Sequence, residues 1–203
     1  MNSRAAAAVD RALDDRLRVA SAEVDRILAA TITVMQRVTP EEPTVSDIIA
    51  EAGSSKKAFY RYFSSKDELM LAVLERGVTI IVSYLEHQMA KESQPAQQIA
   101  RWIEGALAQV ADPHLMAMSR AVHDQLSAPV RGVPGDDIMA PMRNLLVVPV
   151  TALGGEDPQR DAEAVFQMTA ATMRRYVGSG EQPDDADIGH LMRFCLRGLG
   201  VTQ

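Results

Sequence analysis

Apolar side chains in this chain recur three and four residues apart, and no long stretch alternates apolar with polar. One face of an α-helix accounts for the first pattern, whereas a half-buried strand would require the second. The fold class is therefore expected to be all-α. Val24, Ile27, Leu28, Thr31 and Met35 form a stripe that ends at the Pro40–Pro43 segment. Thr44 with Asp47, and Ser65 with Glu68, are capping-box spacings; they open a short helix with Val45, Ile48 and Ile49 on its apolar face and a long helix reaching about Met89. Between them Gly53 ends the first helix and Ser55 can cap a second running to about Phe63. Further helices are expected near Pro95–Ala111, His114–Leu126, Asp136–Leu153, Ala162–Val177 and Ile188–Leu199, separated by Pro, Gly and Asp clusters.

A chain of 203 residues buries roughly two-thirds of its unfolded surface, so neither a disulfide nor a metal is needed to hold it. Its composition, 47% apolar and 24% charged, excludes a disordered or fibrous chain. The longest apolar run, Leu145 to Leu153, stops after nine residues and contains Pro149 and Thr151, too short for a membrane span. Ala5 to Val9 is likewise too short for a signal peptide. With a lone Cys195, these features lead us to expect a cytoplasmic protein without a membrane partner. GxGxxG, GxxxxGK[ST], HExxH, GxSxG and paired CxxC motifs do not occur, and His87, His114, His123 and His190 stand apart from one another. No catalytic residue, metal ligand or cofactor is expected, and the chain is not expected to be an enzyme.

The net charge of −6 argues against a nucleic-acid partner until charge is placed along the chain. Residues 1–70 carry 10 basic and 11 acidic side chains, while residues 71–203 carry 11 and 16. Ser54 to Lys66 holds Lys56, Lys57, Arg61 and Lys66 without an acid, the one window of its kind. The two short helices around Gly53 have the spacing of a helix-turn-helix. With Lys56 at 0° and about 100° per residue, Lys56, Tyr60, Lys57 and Arg61 fall between about 0° and 140°, and Ala58, Tyr62, Phe59 and Phe63 between about 200° and 340°. A helix divided into a cationic, hydrogen-bonding face and an apolar face is suited to lie in a DNA major groove.

Residues Thr44–Val73, TVSDIIAEAGSSKKAFYRYFSSKDELMLAV, closely resemble the DNA-binding signature of the TetR (tetracycline-repressor-like) family. The shared features are a Thr, an Ile-Ala, an Ala-Gly, a Tyr, a Tyr-Phe and a Ser-Lys at these relative positions. With the preceding stripe the resemblance covers about 55 residues; beyond residue 75 the family shares architecture and little sequence. The resemblance implies that Thr44, Tyr60 and Lys66 bind backbone phosphates, and that Ser55, Lys56, Lys57 and Arg61 read base edges or flanking phosphates. Ser54 departs from the family, which usually has a small apolar residue packed there, and is expected to soften the turn. Ala58-Phe59 replaces the commoner pair of a small residue and Leu. Arg4, Arg11, Arg16 and Arg18 are of the kind that DNA-binding arms use for minor-groove or phosphate contacts, but Asp10, Asp14 and Asp15 among them favour a frayed or ordinary first helix.

The resemblance further implies two domains: a helix-turn-helix DNA-binding domain over residues 1–68, built of three helices, and a larger helical effector-binding and dimerisation domain over 69–203. Tyr84, His87, Trp102, Met118, His123, Met142 and Phe166 are the candidate effector-pocket residues, a Met-rich and aliphatic set that suits a largely apolar small molecule. Val165, Thr172, Tyr176, Leu191, Cys195 and Leu199 are the candidate dimer residues, on stripes wider than one neighbouring helix covers. Two readings stand at this point. One is a homodimeric regulator, a repressor by preference, released from palindromic double-stranded DNA by its effector. The other is a helical protein-binding or structural module whose helix-turn-helix binds no DNA.

Overall fold

The computed structural model describes residues 3–38, 41–111 and 135–201, and every regular element among them is helical. The chain divides into two compact units, Met1–Val73 and Leu74–Gln203. The division falls beyond the expected boundary at residue 68, because Leu69 and Val73 face the first unit's core.

In the first unit, α1 (Arg4–Val38) runs for 35 residues, about 52 Å at 1.5 Å per residue. Arg4, Arg11, Arg16 and Arg18 thus lie on a continuous helix. Only its second half is covered: Ile27, Leu28, Val34 and Met35 are buried, whereas Val9, Leu13, Leu17 and Val19 are exposed. Thr31 is also buried, and its hydroxyl donates to the Ile27 carbonyl at 2.7 Å. Against this stripe lie α2 (Val45–Ala52), α3 (Lys56–Tyr62) and the start of α4 (Lys66–Met89), whose Ile48, Phe59, Phe63, Leu69 and Val73 complete one core. Burial of this kind is what holds helices as short as α2 and α3, which are marginal alone.

The second unit is organised around α5 (Pro95–Ala111), whose Ile99, Trp102, Ile103, Ala106, Leu107 and Val110 are all buried. The expected helix over 136–153 is two: α6 (Gly135–Asn144) and α7 (Val147–Ala152). Pro149 has no N–H to donate to Leu145, so a new helix carrying Pro149 in its first turn replaces a continuous one; Leu146 N–H closes the intervening turn on Arg143. α8 (Pro158–Ser179) and α9 (Asp185–Gly198) begin earlier than their apolar stripes. Asp157 caps α8 with Pro158 following, and Asp184 forms a full capping box with Asp187. α7, α8 and α9 all pack on α5. The expected helix at 114–126 lies outside the described residues. Among the described residues no helix is long and apolar enough to cross a membrane.

Candidate nucleic-acid interface

Thr44 caps α2 in both directions: its hydroxyl accepts from Asp47 N–H at 3.1 Å and donates to the Asp47 carboxylate at 2.6 Å. Gly53 then adopts φ 58°, the left-handed conformation that an L side chain resists, and ends α2. Its N–H donates to Ala50 and that of Ser54 to Ile49, closing the turn. Ser55 starts α3, accepting from Ala58 N–H at 3.1 Å.

α3 is divided as its wheel requires. Ala58 and Phe59 are buried, and Lys56, Lys57, Tyr60 and Arg61 are exposed. Among the described residues no carboxylate lies within ion-pair distance of Lys56, Lys57 or Arg61. The Arg61 guanidinium lies over the Tyr62 ring, 5.7 Å from its centroid, a contact that orders the long side chain without neutralising it. Lys66 differs from these three. It is half-buried, and its ammonium donates to the Glu42 carboxylate, which holds the Glu42 carboxyl below the usual range. Ser55 only accepts in its cap and keeps its O–H for a phosphate, whereas Thr44 gives its one O–H to the Asp47 carboxylate and must exchange that partner to donate to a phosphate.

Ser54 does not leave the turn loose. Half-buried, it donates to Glu23 Oε1 at 3.2 Å, and the Tyr62 hydroxyl donates to Glu23 Oε2 at 3.0 Å. Sequence reading missed Glu23, because these partners lie 31 and 39 residues away and no local spacing announces them.

In the second unit Trp102, Met142 and Phe166 come together: the indole N–H donates to the Met142 carbonyl at 3.1 Å, and the Trp102 and Phe166 rings are 6.2 Å apart. Tyr84 and His87 are exposed on α4, although the Tyr84 ring edge passes close over Gly105 of α5. Met118 and His123 lie outside the described residues. Of the candidate dimer residues, Val165, Tyr176, Leu191 and Cys195 are buried by their own chain, and Thr172 and Leu199 are half-buried. The stripes of α8 and α9 are wide because α5 also covers them. What they leave outside is a groove of about 250 Å³ between α8 and α9, with Met168, Thr172 and Phe194 on its walls; Phe194, 57% exposed, was missed from the sequence because it lies off the stripe. Tyr176 and Asp187 both line this groove, and the phenol beside the carboxylate is pushed above its ordinary value while the carboxyl is held below its own.

Residues 27–73 match the family described as bacterial regulatory proteins, tetR family. An uncharacterized HTH-type transcriptional regulator, YvdT of Bacillus subtilis (strain 168), is 37% identical over 59 residues, which are 29% of this chain and 30% of that relative's length. The regulator FadR from Bacillus subtilis, solved in complex with stearoyl-CoA, superposes with a TM-score of 0.65 over 87% of this chain and 98% of its own, at 16% identity. RolR, solved with resorcinol, superposes with a TM-score of 0.62 over 92% and 91%, at 18% identity. Identities this low establish a shared fold.

Proposed function

We propose, from the match of residues 27–73 to the tetR family of bacterial regulatory proteins, that the chain is a homodimeric repressor released from a palindromic operator by a small, largely apolar effector. The observation that carries the reading is the outer face of α3, where Lys56, Lys57, Tyr60 and Arg61 stand exposed together while the opposite face builds the core. Lys and Arg donate to guanine O6 and N7 and to phosphates, and an α-helix fits the major groove. Residues 1–73 are the DNA-binding unit, and residues 74–203 serve effector binding and dimerisation.

One helix-turn-helix makes few contacts, so a strong site requires two related by a two-fold axis. The outer side of α8 and α9, with Met168, Thr172 and Phe194, is the surface by which two copies join into a four-helix bundle. Trp102, Met142 and Phe166 form one wall of the effector site. FadR and RolR bind ligands as different as stearoyl-CoA and resorcinol, so the shared fold supports ligand binding and leaves the ligand's identity to the side chains. α4 runs unbroken from Lys66 to Met89, giving a ligand in the second unit a covalent route to the first. Such a ligand acts by preferring one of two dimer geometries, and the operator weakens effector binding by the same factor.

The test is a salt titration of binding to duplex DNA from the region flanking the coding sequence. A repressor of this kind binds an inverted repeat there, with affinity falling steeply as salt rises. The alternative, a helical protein-binding or structural module, binds no duplex in a salt-dependent way.

A further inference from the structure

Glu23 is a half-buried residue in the middle of α1, and its two carboxylate oxygens reach opposite ends of the recognition segment. Oε1 accepts from Ser54, the residue after the turn glycine, and Oε2 accepts from Tyr62, the last residue of α3. The two anchors hold α3 from just before its start and at its last residue, and at seven residues the helix is too short to fix its own orientation in water. The Tyr62 ring in turn lies beneath the Arg61 guanidinium. Glu23, Tyr62 and Arg61 also line one groove between α1 and α3. A chain of contacts thus runs from the carboxylate of α1 through the phenol to the cation that projects from α3.

We propose that Glu23 is a positioning residue that holds α3, through Ser54 and Tyr62, at the angle from which Lys57 and Arg61 reach base edges. The proposal rests on the reading of α3 as a DNA-recognition helix. A carboxyl group suits the role, because its two oxygens accept from Ser54 at 3.2 Å and from Tyr62 at 3.0 Å at once, and two bonds to one side chain oppose a rotation of the helix that either alone would allow. An alkyl side chain at position 54 or 62 packs but cannot report helix orientation in this way. Glu23 touches no base; it acts on sequence discrimination rather than on general attraction to phosphate.

The experiment uses full-length protein with Glu23→Ala, Glu23→Gln, Tyr62→Phe and Ser54→Ala, and the double variant Glu23→Ala with Tyr62→Phe. Two quantities are read: hydrogen exchange of the backbone amides of residues 53–63, and affinity for a selected operator duplex against a scrambled duplex at one salt concentration. Glu23→Ala and Tyr62→Phe are each expected to speed exchange across 53–63. Each should also lower operator affinity about tenfold, as for loss of a charge-assisted hydrogen bond, with scrambled-duplex affinity changed by less than about twofold. The double variant should be no worse than Glu23→Ala, because both remove the same contact. Glu23→Gln keeps an acceptor oxygen and should recover part of the loss. Faster exchange with discrimination intact would overturn the proposal, leaving Glu23 a merely structural contact, as would additive effects in the double variant. If the unaltered protein discriminates between no duplexes, the reading of α3 fails and this role falls with it. If the parent discriminates and all variants do so equally, only the role of Glu23 is lost.

Discussion

Phe59→Ala and Lys57→Ala alter the two faces of one short helix, and their effects should separate completely. Phe59 is 0% exposed and lies in the core with Ile27, Ile48 and Leu69, its ring 5.1 Å from that of Tyr60 and 5.9 Å from that of Phe63. Truncating such a ring to a methyl costs about 3–5 kcal/mol, a large share of the roughly 5–15 kcal/mol that holds a native protein together. At about 2–4 °C per kcal/mol for a chain of this length, the melting temperature should fall by about 6–20 °C. Lys57 is exposed and meets no carboxylate among the described residues, so Lys57→Ala should change stability by less than about 0.5 kcal/mol. Its loss should appear in DNA binding instead, about 1–3 kcal/mol if it contacts a base, or roughly 5- to 150-fold in operator affinity. Circular-dichroism melts and fluorescence anisotropy on the same preparations decide the matter. A Lys57→Ala protein that melts as early as Phe59→Ala, or that binds operator as tightly as the parent, would refute the assignment of faces.

Three further substitutions address the rest of the molecule. Glu42→Gln releases the Lys66 ammonium from its partner, so duplexes of any sequence should bind more tightly and the log–log salt slope should steepen by about 0.9; an unchanged slope in a salt titration would remove Lys66 from the phosphate contacts. The Asp187 carboxyl is held low by the Tyr176 hydroxyl beside it, and the phenol is pushed up by the carboxylate. Their stabilisation is therefore fully present between the unfolded values near about 3.9 and 10. It is lost as acid protonates Asp187 through its folded value, or as base ionises Tyr176 through its own. Tyr176→Phe should flatten both limbs in denaturant melts across pH, and unchanged limbs would contradict the pairing. Phe194→Glu places a charge in the groove between α8 and α9 without disturbing the core, and sedimentation should show folded monomers with operator affinity lost. Intact dimers would move the interface elsewhere. Leu191→Glu is a poorer probe, because Leu191 is buried by its own chain and the variant would unfold.

Local chemistry was legible in the sequence wherever partners lie within a turn or two of each other. The caps at Thr44 and Ser55, the stop at Gly53 and the division of α3 into two faces all follow from spacings of two to four residues. Contacts across the fold were not legible. Lys66 reads as a free cation at a helix start until Glu42, 24 residues earlier, is found beside it. Ser54 reads as a weak point in the turn until Glu23 appears. The stripes on α8 and α9 had the same difficulty in another form: an apolar position states that something covers it, without stating whether the cover is the same chain or a second copy. Val165, Tyr176, Leu191 and Cys195 are covered within the chain, while the off-stripe Phe194 and Met168 are left outside. Helix starts were placed late at α8 and α9 because apolar periodicity marks the buried part of a helix, and their first turns are anchored by capping aspartates.

The most direct measurement is a selection of binding sites from a pool of random-sequence duplex DNA, carried out with full-length protein and with Arg61→Ala. A two-fold dimer reading DNA through Lys56, Lys57, Tyr60 and Arg61 should enrich an inverted repeat whose half-sites are centred about one DNA turn apart, roughly 34–36 Å, or a multiple of it. Arg61→Ala should relax the sequence preference within each half-site while leaving the spacing unchanged. Failure to enrich any sequence, or an enriched site that Arg61→Ala reads identically, would contradict the assignment of α3 as the recognition helix.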